Sequence, residues 1–217
     1  MPKQLSDNEK FKTIRERIAP YTDVIIFMVT LLVANYAWKW TMVGDEYGDE
    51  VRWFGLDITA PFEFMSYHIS SVVYWLVSLF RDTAHYSGST HSIYFDSGNG
   101  TSIVWGCTGL KQSFIWMCLI LTVRSLPAAE GSLSKGRLWL HKLWYIPAGW
   151  VFCYAFNILR IFLIALFIEY HPDWFSVLHD YIFKYMFYAM LFGLWVLFVE
   201  KVQTKGFERV ADEQQGC

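Results

Sequence analysis

The chain has 217 residues, of which 54% are hydrophobic and 19% aromatic, and its formal net charge at pH 7 is −2. This composition is too apolar for an ordinary soluble domain, and eleven tryptophans with thirteen tyrosines are typical of aromatic belts at membrane interfaces. The charge gives no basic surface for nucleic acid, so we expect no nucleic-acid partner. The sequence predicts a single-domain integral membrane protein in contact with membrane lipids.

The first predicted membrane span covers residues 22–42 and follows a polar, basic tail over residues 1–20. The apolar run is about as long as a span and has no small-residue cleavage site, so we expect no cleavable signal peptide. Lys39 lies between two tryptophans at the far end of this span, where its ammonium group can reach the interface.

Residues 43–107 are predicted to form an external segment that contains one helix and one β-hairpin. Pro61 suits the start of a helix over residues 61–80. That helix is long enough to cross a membrane, but its charged and polar residues weaken it as a span. Asn99-Gly100, between β-branched and aromatic runs, predicts a hairpin over residues 91–105.

The remaining apolar segments predict three more spans, over residues 108–126, 143–169 and 181–200. Short cytoplasmic loops are rich in Lys and Arg, which places the basic residues 1–20, 127–142 and 201–217 in the cytoplasm. The helix over 61–80 then makes no single crossing and is interfacial or re-entrant. The predicted fold is an all-α membrane protein, a small bundle of about four to six transmembrane helices, with four spans favoured, an outer interfacial or re-entrant helix and a short external β-hairpin.

Of the four cysteines, Cys107 is distinctive because it lies at the boundary of a predicted span. A helix N-terminus lowers the pKa of a thiol, with Cys107 or Thr108 as the cap. Lys111, one turn on, adds positive charge, and Gly106 and Gly109 leave room for a substrate backbone. A small buried residue at a helix end is the competing interpretation, and for the thiol alone it is the more common one.

Arg160 lies well inside an apolar run, which is expensive in a membrane and favours a functional position facing the bundle or a wet cavity. Asn157 precedes it by three residues on the same helical face and can hold the guanidinium or a backbone group. The competing interpretation is a structural ion pair with Glu63 or Asp180.

His179 lies at the external start of the last span, beside Asp180, which can tune the imidazole or help to cap the helix. Histidine suits proton transfer near neutral pH. Cys107, His179 and Arg160 together form a transpeptidase set of nucleophile, proton shuttle and oxyanion stabiliser. The other histidines have no metal-ligand spacing, so we expect neither a metal nor another cofactor.

Three ordered motifs in residues 90–200 resemble those of the exosortase/archaeosortase family. They are Cys-Thr-Gly-Leu at 107–110, Asn-Ile-Leu-Arg-Ile at 157–161 and the histidine at 179. Threonine stands where serine is common after the cysteine, and the hydroxyl is kept. With one clear N-terminal span, the chain is similar to short, core-only members.

The resemblance implies a cysteine transpeptidase or protease in the cytoplasmic membrane, with its active site facing the periplasm or cell exterior. Its substrates would be exported proteins that end in a short motif, a transmembrane helix and a basic tail. Cys107 would form a thioester, Arg160 would stabilise the oxyanion, and His179 would transfer protons. Thr108 is a cap or a second oxyanion donor. The alternatives are a catalytically inactive assembly or scaffold protein and, more remotely, a transporter or channel built around Arg160.

Overall fold

The computed structural model describes residues 22–44, 50–123 and 135–215, with side chains as far as residue 200. This part of the chain is mostly helical and contains two small sheets. The helices are α1 (Thr22–Thr41), α2 (Thr59–Ser78), α3 (Leu110–Thr122), α4 (Lys135–Ile168) and α5 (Phe183–Gln215). The strands are β1 (Met42–Gly44), β2 (Val51–Trp53), β3 (Leu56–Asp57), β4 (Ala84–Ser87), β5 (Ser92–Phe95) and β6 (Gly100–Ser102).

Three helical segments of the described chain are long and apolar enough to cross a membrane: Thr22–Thr41, Leu138–Ile168 and Pro172–Glu200. Within the predicted span over 108–126, the described residues form the 13-residue helix α3, and residues 124–126 lie outside the described part of the chain. At about 1.5 Å per residue, α3 is roughly 20 Å long and falls short of the hydrocarbon core of a bilayer. The predicted helix over 61–80 is α2, which begins two residues earlier.

Helix α4 begins at Lys135, inside the segment 127–142 that was predicted to be a loop, and continues through Pro147. The predicted loop is therefore wrong for its last eight residues. Lys142, within these eight residues, is only 4% exposed. Its ammonium group donates hydrogen bonds of 2.8 and 2.7 Å to the carbonyls of Leu121 and Val123. The buried cation thus satisfies carbonyls that have no intrahelical partner at the end of α3.

Two tryptophans join the middle of α3 to α4. The indole N–H of Trp116 donates to the carbonyl of Tyr145 at 3.0 Å, and that of Trp150 donates to the carbonyl of Ser113 at 3.1 Å. Trp116 is fully buried and lies directly against Gly149, where an added Cβ would lie 1.8 Å from the indole nitrogen. The close approach of the two helices therefore requires glycine at position 149.

Replacement of Gly149 by alanine is expected to lower the melting temperature of the detergent-purified protein. The new methyl group overlaps the indole of Trp116, and overpacking of this kind costs about 1–3 kcal/mol. The matched control is Gly193→Ala in α5, where a Cβ meets no atom within 4 Å. Because alanine favours helices, the control should be neutral or slightly stabilising. Equal melting temperatures for the two variants would contradict the assigned contact.

The predicted hairpin is present, but its turn lies earlier than the Asn99-Gly100 pair. Gly98 adopts φ +82°, and its backbone amide donates to the carbonyl of Phe95. The backbone amide of Phe95 donates in turn to the carbonyl of Asn99. The resulting loop is a turn closed by a left-handed glycine. The prediction also missed β4, which extends the hairpin to a three-stranded antiparallel sheet in the order β4-β5-β6.

A buried carboxylate fastens this sheet to the end of α4. Glu169 accepts a hydrogen bond of 2.9 Å from the Thr83 hydroxyl and forms an ion pair of 2.8 Å with Arg81, a charge contact rather than an aligned hydrogen bond. The side-chain amide of Asn99 donates to the backbone carbonyl of Glu169 at 2.9 Å. The segment before β4 and the loop between β5 and β6 are therefore both held at Glu169.

Replacement of Glu169 by glutamine is expected to destabilise the protein by about 1–3 kcal/mol, because a hydrogen-bonded, charge-paired carboxylate is lost. Thermal unfolding in detergent measures the effect. Asp96→Asn serves as the control, since Asp96 forms an exposed pair with His85 on the same sheet, and exposed pairs contribute little. A larger loss in the control than in Glu169→Gln would refute the anchoring role.

The second sheet, in the order β1-β2-β3, was not predicted from the sequence. Its strands are only two or three residues long, and residues 45–49 between β1 and β2 lie outside the described residues. The buried side chains of Met42 and Val51 pack with Phe62 of α2, and Trp105 lies against this cluster. The sheet therefore contacts the segment that leads into α3.

Candidate active site

Cys107 ends a short 3₁₀ turn over Trp105–Cys107, and the amide of Cys107 donates to the carbonyl of Val104 at 2.8 Å. Helix α3 begins only at Leu110, and its N-cap is Gly109. The prediction that Cys107 or Thr108 caps the helix is therefore wrong. The Thr108 side chain is buried, and its hydroxyl donates to the carbonyl of Trp105 at 2.8 Å. That contact stabilises the turn. It also uses the hydroxyl proton that Thr108 would need to act as the second oxyanion donor expected from the sequence.

Gly109 has a backbone requirement that differs from the predicted one. Its φ is +76°, in the left-handed region that favours glycine. An added Cβ would lie 3.1 Å from the side chain of Asn157, whereas a Cβ at Gly106 would meet nothing within 4 Å. The space expected at Gly109 is thus occupied by Asn157, and the open side of the turn is at Gly106.

Asn157 is fully buried in α4, and its side-chain amide donates a hydrogen bond of 2.7 Å to the carbonyl of Cys107. Of the two roles left open by the sequence, the structure supports the contact with a backbone group. The amide oxygen of Asn157 has no hydrogen-bond partner among the described residues. Asn157 is therefore a positioning residue that fixes the turn carrying the thiol.

His179 lies in a π-helical turn over Val177–Ile182, directly before α5. Its Nε2 atom is 3.6 Å from Sγ of Cys107, and its Nδ1 atom is 2.9 Å from Oδ1 of Asp180. A proton on Nδ1, shared with the carboxylate, leaves Nε2 free to accept a proton from the thiol. The imidazole also stacks on Phe175, with ring centroids 5.3 Å apart and planes at 11°.

Arg160 is 5% exposed, and its positive charge interacts with both Cys107 and Asp180. The alternative of a structural ion pair with Glu63 or Asp180 is not supported, because neither carboxylate lies within 4 Å in the described chain. The Nε–H group of Arg160 is buried, and the described residues provide no hydrogen-bond acceptor for it. The Nε–H group of Arg160 therefore remains available to donate a hydrogen bond to a further group bound at this site.

The electrostatics of the site favour the thiolate. Burial raises the pKa of the Cys107 thiol, but the hydrogen bond with His179 and the positive charges of Arg160 and His179 lower it by more, so this pKa lies below its usual value. Lys111 is not among the groups that cause the shift. The structure places Lys111 instead in a cavity with Lys39. The positive charges that lower the pKa of Cys107 therefore come from Arg160 of α4 and His179 of the π-helical turn, and not from Lys111 of α3 as predicted.

The structure brings Cys107, Asn157, Arg160, His179 and Asp180 together from three parts of the chain. The sequence analysis missed the contribution of Phe175 to this site. Its position four residues before His179 was the available signal, since side chains at that spacing meet on a helix. The π-helical turn had no such signal, although turns of this kind are frequent at functional sites.

Comparison with protein-family models, with curated proteins and with solved structures gave no match to this chain. The function therefore has to be argued from the geometry of the site.

The rate at which Cys107 reacts with iodoacetamide is expected to rise with pH around a midpoint below that of an ordinary thiol, because the thiolate is the reactive form. His179→Ala removes a hydrogen bond and a charge that lower the pKa, so its midpoint should move upward. Peptide mass spectrometry of the detergent-purified protein measures the rate at this residue alone. His85→Ala, on strand β4, is the matched control and should leave the midpoint unchanged. An unshifted midpoint in His179→Ala would remove the thiol–imidazole pair.

Proposed function

We propose that this protein is a membrane-embedded cysteine transpeptidase or peptidase that cleaves C-terminal sorting signals of exported proteins. The observation that carries the proposal is the 3.6 Å contact between Sγ of Cys107 and Nε2 of His179, beside the buried charge of Arg160. A nucleophile within reach of a base that is oriented by a third group is the arrangement used in covalent acyl transfer. Asp180 is the orienting group here.

In the first step, the Cys107 thiolate attacks the carbonyl carbon of the scissile peptide bond. A C–S bond forms, and the electron pair of the carbonyl π bond moves to oxygen. When this oxyanion collapses, the C–N bond breaks and the imidazolium of His179 donates its Nε2 proton to the leaving amine. The products of this half-reaction are a thioester that joins the N-terminal part of the substrate to Cys107 and a released C-terminal fragment with a new amino terminus.

Arg160 stabilises the negative oxygen that develops during this attack. Its unpartnered Nε–H group lies in the same buried site as the thiol. A fixed, charged donor in a site with little water is worth more than the same donor in solution. Because the positive charge of Arg160 already interacts with Cys107, little reorganisation is needed when negative charge moves from sulfur to oxygen.

An amine or water resolves the thioester in the second step. His179, now neutral, accepts a proton from this nucleophile, the new C–N or C–O bond forms, and the C–S bond breaks to return the thiolate. An amine acceptor makes the protein a transpeptidase, and water makes it a peptidase. In this proposal the site faces the periplasm or cell exterior, and the signal-bearing helix of the substrate lies in the cytoplasmic membrane beside α4 and α5.

Processing of a co-expressed signal-bearing protein is expected to stop in Cys107→Ala, since no thioester can form. Arg160→Gln should reduce the rate about 10²–10³-fold, as the loss of one oxyanion donor does. His179→Ala should reduce it about 10²–10⁴-fold through the loss of proton transfer. The measurement is the rate of conversion of the precursor in a pulse-chase experiment. Cys118→Ala, a free cysteine in the middle of α3, is the control with unchanged processing.

Unchanged processing in Cys107→Ala would exclude the nucleophile and leave the alternative of a catalytically inactive assembly or scaffold protein. Full activity in Arg160→Gln or in His179→Ala would remove the catalytic role from that residue alone. Each variant must be present at the wild-type level in the membrane, which immunoblotting establishes.

A further inference from the structure

A cavity of about 260 Å³ lies beside Trp105 and Gly106 of the turn that carries the thiol. It is lined by Trp38, Lys39, Met42, Trp105, Gly106 and Lys111. Two tryptophans form apolar walls, and the ammonium groups come from α1 and α3. Gly106, which precedes Cys107 in the chain, is the open side of the turn, since a side chain there would meet no atom within 4 Å.

The charge of this cavity is positive and unbalanced. Lys39 and Lys111 line the cavity, and Lys111 interacts electrostatically with Lys39 and with Lys184 of α5. Within the described residues, none of these lysines forms an ion pair with a carboxylate. Three like charges repel one another, and an anion bound among them would relieve the repulsion.

Lys39 and Lys184 are close in the chain to side chains suited to the boundary between lipid and water. Lys39 lies in the last turn of the apolar helix α1, next to Trp40, which is 80% exposed. Lys184 lies in the first turn of α5 beside Tyr181 and Tyr185, which are also exposed. Exposed tryptophan and tyrosine at the end of an apolar helix mark the level of lipid headgroups.

We propose that this cavity binds the phosphate group of an anionic phospholipid, with the acyl chains along the exposed apolar surface of α1. Basic pockets between membrane helices bind anionic headgroups in this way. An acidic side chain of a peptide would satisfy the same charges, but the exposed apolar side chains that continue below Lys39, such as Val33 and Val29, suit a lipid tail. The proposal needs no chemistry at Cys107 and holds for an inactive protein as well.

The test uses the full-length Cys107→Ala protein in detergent, titrated with dioleoyl-phosphatidylglycerol or dioleoyl-phosphatidylcholine and followed by native mass spectrometry. Phosphatidylglycerol should bind more tightly than phosphatidylcholine. Each lysine near a lipid surface contributes about fivefold in affinity, so Lys39→Gln/Lys111→Gln should weaken binding roughly thirtyfold. Lys39→Gln alone, at an exposed position that folding tolerates, should weaken it about fivefold. Arg52→Gln removes an exposed cation that does not line the cavity and is the charge-matched control.

Equal affinity for phosphatidylglycerol in the double variant, the single variant and the control would overturn the proposal, whatever happens to precursor processing. Displacement of the lipid by millimolar inorganic phosphate would assign the cavity to a free anion instead. If the lysine variants keep full lipid affinity but the same changes in the Cys107 protein stop processing, the lysines serve an acidic substrate peptide and the lipid assignment fails.

Discussion

The antiparallel register of α3 against α4 is the constraint on which the site depends. Four side chains donate hydrogen bonds to backbone carbonyls of the facing segment, and each step forward along α4 is matched by a step back along α3. From Lys142 to Asn157 the rise along α4 is about 22 Å, and the partners of these residues, Leu121 and Cys107, are separated by about 21 Å if the chain between them is treated as helical. The four pairs are Lys142 with Leu121, Tyr145 with Trp116, Trp150 with Ser113 and Asn157 with Cys107. The shorter helix therefore has little freedom to slide, and the thiol is fixed relative to Arg160.

This register places a guanidinium where water is scarce, and the site has to compensate for that. A buried cation without a counter-charge is costly, and Asp180 is close enough to interact with Arg160 but forms no ion pair with it. When Cys107 transfers its proton to His179, the site holds two cations and two anions, and the thiolate supplies a negative charge that interacts with Arg160. The buried positive charge of Arg160 thus favours the ionised form of the cysteine, although the burial of the thiol itself opposes it. The cost of burying Arg160 and the ionisation of Cys107 are linked in this way.

Hydrophobic pattern predicted the apolar helices and the approximate position of α2, because these depend on local composition. The hairpin was also predictable, but not its turn: Gly98, rather than Asn99-Gly100, takes the left-handed conformation, which frees the Asn99 side chain to reach Glu169. Lys142 was placed in a polar loop because nothing local shows that its ammonium group is required 21 residues earlier in the chain. Cys107, Arg160 and His179 were selected because their positions in the predicted spans, their ordered motifs and their residue types fit one another, and not because the thiol or the imidazole was decisive alone. Their distances, and the positioning roles of Asn157 and Gly109, are set by the contact of separate helices and have no sequence signal of their own.

One buried face of α4 and the residue that follows the helix connect these features. Asn157 and Arg160 lie on one buried stripe of α4 with Ile161, Ile164 and Ile168, and Glu169, which is also buried, directly follows the last residue of the helix. Glu169 holds the sheet through Arg81, Thr83 and Asn99, and strand β6 of that sheet runs through Ile103 into the turn of Cys107. The turn is therefore anchored on its upstream side through Glu169, directly after α4, and on its downstream side through Asn157 within α4. The thiol of Cys107 thus depends on contacts with α4 and its C-terminal end, whereas His179 lies on the separate π-helical turn before α5.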